Sequence, residues 1–368
     1  MNPKDYALRD LSAADFDGDG YQDIGIYWFQ NERLSIFRST PEAGEPPKKT
    51  FKKNYETINP MRTNIEVFTF VDLDADGFPD AVAGNQVLRN EKKDDGGRKL
   101  VVDESKKGFL KTGGQPKELI SADFNDDDAA DVAANIAINN AVVLFLNDGK
   151  GNLEQANLPD IGSKLNGGAN LLDIDVGNFD GKKGEDLIAL YDNNQAAIVL
   201  DIGGNNAVNV VDLKAEQMNV AYDFIAAGSI KQNDKTDFAV AAKQQMSTTG
   251  SLDAEVAVYQ NEGEAKSFKR YFHAKTRADV QTMLFEDISF NGYADIMVGP
   301  SFWRHSYEKG KTYDVCNQDD SCRIALEWER AEAATKFIRA DVTTDKAAEL
   351  VAIHDDFEFT VLQPHCPN

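Results

Sequence analysis

Short apolar runs recur along the whole chain and are separated by turns rich in Gly, Asn and Asp. Leu119–Ala122, Val132–Ala134 and Ala141–Leu146 are three such runs in close succession. Apolar or β-branched runs of this length between turn residues predict β-strands. The segment Asn147–Asn152 has the composition of a tight turn and is predicted to join a third strand to a fourth.

One polar pattern interrupts these strands at regular intervals. It reads Asp-x-Asp-x-Asp-Gly-x-x-Asp, and its positions are numbered one to nine below. The pattern is complete in the copies that begin at Asp15 and Asp72, and it becomes less regular in the later ones. Copies begin at residues 15, 72, 123, 178, 229, 287 and 341. A repeat with a period of this length is typical of a solenoid or a propeller.

Each copy has an apolar run before it and another after it, and a third, β-branched run often follows. Four short antiparallel strands per repeat are the pattern of a propeller blade, which cannot bury both faces alone and must stack on its neighbours. The sequence therefore predicts an all-β fold: a seven-bladed β-propeller of four-stranded antiparallel blades with calcium-binding loops. It would form a single domain over residues 1–368. A chain of separate β-sandwiches would not produce one common period.

The chemistry of the loops favours calcium. Carboxylates at positions one, three and five, a backbone carbonyl at seven and a closing acid at nine offer only oxygen, which suits Ca²⁺ better than Mg²⁺. An EF-hand would need a Glu at position twelve, where Ile26, Ala83 and Ala134 stand. The predicted ligands are Asp15, Asp17, Asp19, Tyr21 and Asp23; Asp72, Asp74, Asp76, Phe78 and Asp80; Asp123, Asn125, Asp127 and Asp131; and Asp287, Ser289, Asn291 and Asp295.

We expect about three to four of the seven loops to hold an ion. The third loop has Asp128 in the Gly slot, and Asp tolerates a left-handed backbone. Lys182 and Lys231 stand at ligand positions of the fourth and fifth loops, where an ammonium group could replace the ion. The seventh loop lacks the Gly and closes with Glu349. The ions are expected to be structural.

Composition narrows the classes of partner. The chain of 368 residues has 62 acidic and 39 basic side chains, a net charge of −23, which argues against nucleic acid and against an anionic membrane surface. No run of 18 or more apolar residues occurs, so we expect no direct membrane insertion. Weak calcium sites fill at extracellular calcium concentrations, so we expect a secreted, cell-surface or periplasmic protein. The N-terminal residues carry no apolar signal segment, so this location assumes that a signal was removed.

The least regular segment, residues 299–322, is the candidate for a ligand site. It contains Trp303, Arg304, His305 and Tyr307, an aromatic and basic set that could stack on a sugar ring or anchor a protein. The alternative is an ordinary strand whose aromatic residues belong to the core. Cys316 and Cys322 are close enough in sequence to form a disulfide, and the sequence leaves open whether they do.

The loops and their flanks resemble FG-GAP and VCBS repeats. Asp15–Tyr27, Asp72–Gly84 and Asp287–Gly299 resemble the FG-GAP form, and Val143–Gly151 resembles the VCBS form. The resemblance implies the seven-bladed propeller of integrin α-subunit heads and some fungal lectins. Proteins of this family serve mostly in adhesion and recognition of proteins or glycans, and some are enzymes. We therefore expect an extracellular, calcium-stabilised binding or adhesion module for a protein or glycan rather than an enzyme. The alternatives are a carbohydrate-specific lectin or a polysaccharide-acting enzyme.

Overall fold

The computed structural model describes residues 8–28, 33–39, 56–58, 65–106, 114–136, 141–165, 169–202, 204, 206–213, 221–230, 235–243, 245–246, 252–276, 282–288, 292–298, 301–305, 313–315, 334–341, 349–354 and 359–362. Within these residues the chain is almost entirely β-structure. The helices found there are single short turns, and none is long and apolar enough to cross a membrane.

The strands of the described chain form seven antiparallel sheets, numbered here in chain order. Sheet 1 contains β1 (Leu8–Ala14), β2 (Asp23–Trp28), β3 (Arg33–Phe37) and β4 (Glu56–Ile58). Sheet 2 contains β5 (Phe68–Val71), β6 (Asp80–Ala83), β7 (Gln86–Lys92) and β8 (Arg98–Val102). Sheet 3 contains β9 (Pro116–Ala122), β10 (Asp131–Ile136), β11 (Ala141–Asn147) and β12 (Leu153–Gln155). Sheet 4 contains β13 (Leu171–Gly177), β14 (Asp186–Tyr191), β15 (Gln195–Leu200) and β16 (Ala207–Asp212).

The last three sheets follow the same order with two differences. Sheet 5 contains β17 (Phe224–Gly228), β18 (Asp237–Ala241), β19 (Gln245–Met246), β20 (Leu252–Gly263) and β21 (Ser267–Thr276). Sheet 6 contains β22 (Met283–Glu286), β23 (Asp295–Val298), β24 (Ser301–His305) and β25 (Tyr313–Val315). Sheet 7 contains β26 (Ala334–Ala340), β27 (Glu349–His354) and β28 (Phe359–Leu362). Sheet 5 thus gains the two-residue strand β19, and sheet 7 has three strands within the described residues.

Every copy of the nine-residue pattern joins the first strand of a sheet to the second. Position nine is the first residue of that second strand in all seven sheets. The turn Asn147–Asn152 joins β11 to β12, the third and fourth strands of sheet 3. The predicted placement of the loops and of this turn is therefore confirmed.

The middle strands of the sheets carry the core. All residues of β10, β14 and β15 are buried, which explains why these strands are apolar on both faces. Neighbouring sheets pack on one another through these strands: one cluster joins Ile188 and Ile198 of sheet 4 to Phe238 and Tyr259 of sheet 5. The predicted stacking of blades has its physical basis in this burial.

The described chain forms two compact units. The first contains the strands of sheets 1 to 3 and most of sheet 7, and the second contains those of sheets 4 to 6. Within the first unit, sheet 7 contacts sheet 1: the Gln22 N–H donates to the Asp341 carbonyl at 2.7 Å, and Val351 packs with Leu11 and Ile24. A single domain over residues 1–368 stays a prediction.

Candidate metal centres

The acid at position nine is buried in all seven loops. These residues are between 0% and 3% exposed: Asp23, Asp80, Asp131, Asp186, Asp237, Asp295 and Glu349. The carboxylates of Asp23, Asp80 and Asp237 accept backbone N–H groups from two different segments. In sheet 1, Asp23 Oδ2 accepts from Phe16 at 3.2 Å, and Asp23 Oδ1 accepts from Ser39, beyond β3, at 2.7 Å. The closing acid thus ties the loop to the end of the third strand.

The same two bonds recur in other sheets. Asp80 accepts from Leu73 at 3.3 Å and from Asn90 at 2.7 Å. Asp237 accepts from Ile230 at 2.9 Å and from Asn261 at 2.7 Å. Fixing the strand connection is therefore a role of the closing acid that sequence analysis missed. Its additional role as a calcium ligand in the predicted metal loops stays a prediction.

Burial shifts the protonation of these closing acids. Desolvation raises the pKa of Asp23 to about 8 and that of Asp186 to about 7, and it also raises the pKa of Asp80. Neighbouring carboxylates add to the effect, and backbone N–H donors oppose it. A cation beside such a group would favour its ionised form.

The first loop gathers three carboxylates. One oxygen each from Asp15, Asp17 and Asp19 lies within 4.8 Å of the others. Asp15 shapes the turn by accepting the N–H of Gly18 at 2.8 Å and of Gly20 at 2.9 Å. Gly20 has a φ of 91°, which a residue with a side chain rarely adopts. The local chemistry of the motif therefore brings the carboxylates of positions one, three and five together.

The second loop repeats this geometry. Asp72, Asp74 and Asp76 form the other three-carboxylate group found among the described residues. Asp72 accepts the N–H of Gly77 at 2.9 Å, and Asp76 accepts that of Phe78 at 2.9 Å. Tyr21 has the equivalent bond to Asp19 at 3.0 Å in the first loop. The predicted use of the Tyr21 and Phe78 carbonyls as ligands is not tested by these bonds.

Two oxygens at position three have no hydrogen-bond partner among the described residues. They are Oδ1 of Asp17 in the first loop and Oδ1 of Asn125 in the third, and both atoms are buried. A buried oxygen without a donor is costly unless a cation or water satisfies it. Both atoms occupy positions that the sequence assigned to calcium ligands.

The third loop also has the predicted shape. Asp123 accepts the N–H of Asp127 at 3.2 Å, and Asn125 donates from Nδ2 to Asp127 at 2.9 Å. Asp128 has a φ of 65°, so the left-handed backbone expected at this position is confirmed. Asp131 accepts the N–H of Asn147 at 2.7 Å.

In the fourth loop a lysine at position five pairs with the acid at position three. Lys182 Nζ lies 2.7 Å from Asp180 and 2.9 Å from Asp201, and these carboxylates raise its pKa. This ion pair is the contact expected of an ammonium group at a ligand position, and its replacement of a metal ion stays a prediction. Lys231 of the fifth loop lies outside the described residues.

The later loops are described in part. In the sixth, Asp287 accepts the N–H of Gly292 at 2.8 Å, as Asp15 and Asp72 do for their glycines. Ser289 and Asn291, and residues 342–348 of the seventh loop, lie outside the described residues.

Most of the predicted ligand segment also lies outside the described residues. Trp303, Arg304 and His305 belong to β24, whose backbone pairs with β23 and β25, but their side chains are not described. Tyr307 and the three cysteines are likewise outside. This ligand site stays a prediction.

Asparagines in the last residues of the third strand join neighbouring sheets, and sequence analysis did not single them out. Asn90 donates to the Phe16 carbonyl at 2.9 Å, and Asn147 donates to the Leu73 carbonyl at 2.9 Å. Asn261 donates to the Phe179 carbonyl at 2.7 Å. Each acceptor is position two of the preceding loop, so the recurrence of Asn at this place in the repeat was the available signal.

No protein-family model and no curated relative matches the sequence. Solved structures do match. BBS1N in complex with ARL6DN is 10% identical, with a TM-score of 0.58, 98% of this chain covered and 94% of the other. Saccharomyces cerevisiae Sqt1 is 11% identical, with a TM-score of 0.56 and coverages of 99% and 97%.

A fungal lectin has the same fold. The Agrocybe aegerita lectin, whose structure concerns recognition of non-reducing terminal N-acetylglucosamine, is 16% identical, with a TM-score of 0.55 and coverages of 82% and 77%. At these identities the likeness shows the fold alone. Together with the seven antiparallel sheets of the described chain, it defines the class: the protein is a seven-bladed β-propeller.

Proposed function

We propose that this protein is an extracellular binding module, stabilised by calcium in its loops, for a protein or glycan ligand. The observation that carries the calcium part is the pair of three-carboxylate groups at equivalent positions of the first two loops. Oxygen-only donor sets of this kind suit Ca²⁺. A secreted, cell-surface or periplasmic location follows from the calcium concentration that weak sites require.

The residues of the loops fit the ion. Asp15, Asp17 and Asp19 would hold it in the first loop, and Asp17 offers a buried oxygen that has no donor among the described residues. Asp72, Asp74 and Asp76 would hold it in the second. When bound, the ion would neutralise the mutually repelling carboxylates. The third loop would hold a further ion through Asn125. Its Oδ1, like that of Asp17, is buried and has no donor among the described residues.

The proposed binding function is supported by what solved structures with the same fold bind. One matching structure is a complex between two proteins, and another concerns recognition of a terminal sugar. Both protein and glycan therefore remain in the proposal, with a carbohydrate-specific lectin as the second candidate. The aromatic and basic segment at Trp303–His305 is the proposed contact region.

Calcium removal is expected to destabilise the protein through the loops that are predicted to bind it, and not through the fourth loop. Replacing Asp74 with Ala should remove one calcium equivalent and up to about 1 kcal/mol of calcium-dependent stability, the contribution of one weak site. Asp180→Ala is the matched control, because Lys182 already pairs with Asp180. Elemental analysis, calorimetric titration and melts with calcium or EGTA measure the effect. Loss of a calcium equivalent from Asp180→Ala but not from Asp74→Ala would contradict the assignment.

The ligand class is tested by a glycan array and a pull-down from extracellular fluid, each with calcium and with EGTA. Calcium-dependent retention of a defined glycan would support the lectin alternative, and saturable capture of one protein would support a protein-binding module. Retention of neither, by protein shown to be folded, would count against the binding function.

A further inference from the structure

Two arginines occupy equivalent places beside the two complete loops. Arg38 and Arg89 each immediately precede the residue whose N–H binds the closing acid, Ser39 in sheet 1 and Asn90 in sheet 2. The corresponding residues of sheets 3 and 5, before Asn147 and Asn261, are uncharged. Among these four sheets, the arginine therefore accompanies the three-carboxylate group.

Both guanidinium groups reach the acids of their own loop. Arg38 Nη1 lies 3.3 Å from Oδ2 of Asp17 at position three. Arg89 Nη1 lies 2.9 Å from Oδ2 of the closing Asp80 and 3.8 Å from Oδ2 of Asp74 at position three. The position-three carboxylate that is predicted to bind calcium thus already faces a fixed positive charge in both loops.

Both groups also bind the backbone of the next sheet. Arg38 Nη2 donates to the Arg98 carbonyl of sheet 2 at 3.1 Å, and Arg89 Nη2 donates to the Gly151 carbonyl of sheet 3 at 3.1 Å. A Cβ at position 151 would overlap the Arg89 guanidinium, so Gly151 leaves the space that this contact needs. A guanidinium has several donors in a rigid plane, and it stays charged at all relevant pH values. One arginine can therefore serve a carboxylate and a neighbouring carbonyl together.

We propose that Arg38 and Arg89 are built-in counter-cations that hold the two complete loops and their inter-sheet contacts when no metal is bound, and that weaken calcium binding there. The inference rests on the proposed calcium binding. A divalent ion among the same carboxylates is repelled by the guanidinium charge, so ion binding and the arginine contacts oppose each other. The calcium affinity of the two complete loops would consequently be weaker than their carboxylate content alone predicts, so they would fill only at higher calcium concentrations.

The test is calorimetric calcium titration of Arg89→Met, which keeps the length of the side chain but removes its charge. Removing one unit charge a few ångströms from a divalent ion is expected to tighten calcium binding at the second loop by about tenfold. The melting temperature in EGTA should fall by a few degrees, because the bonds to Asp80 and Gly151 are lost. Arg38→Met should do the same at the first loop and serves as the second variant if Arg89→Met does not fold.

Two control variants separate charge from geometry. Lys99→Met removes the same charge from the same sheet, but the Lys99 side chain is 45% exposed and pairs with Glu91, so calcium affinity should stay unchanged. Arg89→Lys keeps the charge without the planar group. It should bind calcium nearly as the parent does, while melting earlier in EGTA.

The outcomes distinguish this inference from the proposed function. Calcium bound by the parent, with unchanged or weaker affinity in folded Arg89→Met and Arg38→Met, would overturn the counter-cation role alone. No calcium bound by the parent or by either variant would overturn both. Calcium bound only after an arginine is removed would support the counter-cation role and show that guanidinium replaces metal in the parent.

Discussion

Replacing Asp237 with Ala is expected to lower the free energy of unfolding by about 2–5 kcal/mol, because two buried backbone N–H groups lose their acceptor. These donors belong to Ile230 and Asn261, which lie on either side of β18 in the chain. The fifth loop is not predicted to hold calcium, so the loss should be equal with calcium and with EGTA. Urea unfolding under both conditions measures it.

Two further variants make this result specific. Asp237→Asn keeps the size and one acceptor, so it should lose about half as much stability. Glu262 is an exposed acid that directly follows Asn261, and Glu262→Ala should change stability by less than about 0.5 kcal/mol. A full effect in Glu262→Ala, or none in Asp237→Ala, would contradict the role given to the closing acid.

Stability in EGTA is expected to fall as the pH rises from about 4 to 7, by about 1.4 kcal/mol per pH unit for each strongly shifted group. Burial and nearby carboxylates raise the pKa of Asp175 from its ordinary value of 3.8 to about 7, and they raise the pKa of Asp186 to about 7 as well. Between these values the folded protein keeps a proton that the unfolded chain has released. This contribution is complete below the unfolded pKa and is lost as the pH passes the folded pKa.

The Asp175→Asn variant isolates one of these groups. Asn cannot ionise, so the loss of stability between about pH 4 and 7 should decrease by the contribution of one group, up to about 4 kcal/mol. Asp160→Asn, at an exposed position, should leave the slope unchanged. Chemical unfolding at several pH values measures both. If the Asp175→Asn variant loses as much stability with rising pH as the parent does, Asp175 is ionised in the folded protein and the prediction is wrong.

Several features of the loops followed from the sequence because their chemistry is local. The bonds from Asp15 to Gly18 and Gly20 close within five residues, so the motif specifies its own turn wherever it occurs. The left-handed Asp128 and the pairing of Lys182 with Asp180 are also decided within one loop. The period of the motif then fixed the number and order of the sheets.

The tertiary structure decided which residues hold neighbouring sheets together. Asn147 and the carbonyl of Leu73 are 74 residues apart, and Arg89 and the carbonyl of Gly151 are 62 apart. Neither residue carries a local pattern that names its partner, since the contact exists only after two sheets have stacked. The closing acid combines a local and a tertiary feature. Its place at position nine was evident from the repeat. Its bond to the third strand was not evident, because connections of differing length bring that strand back to the acid.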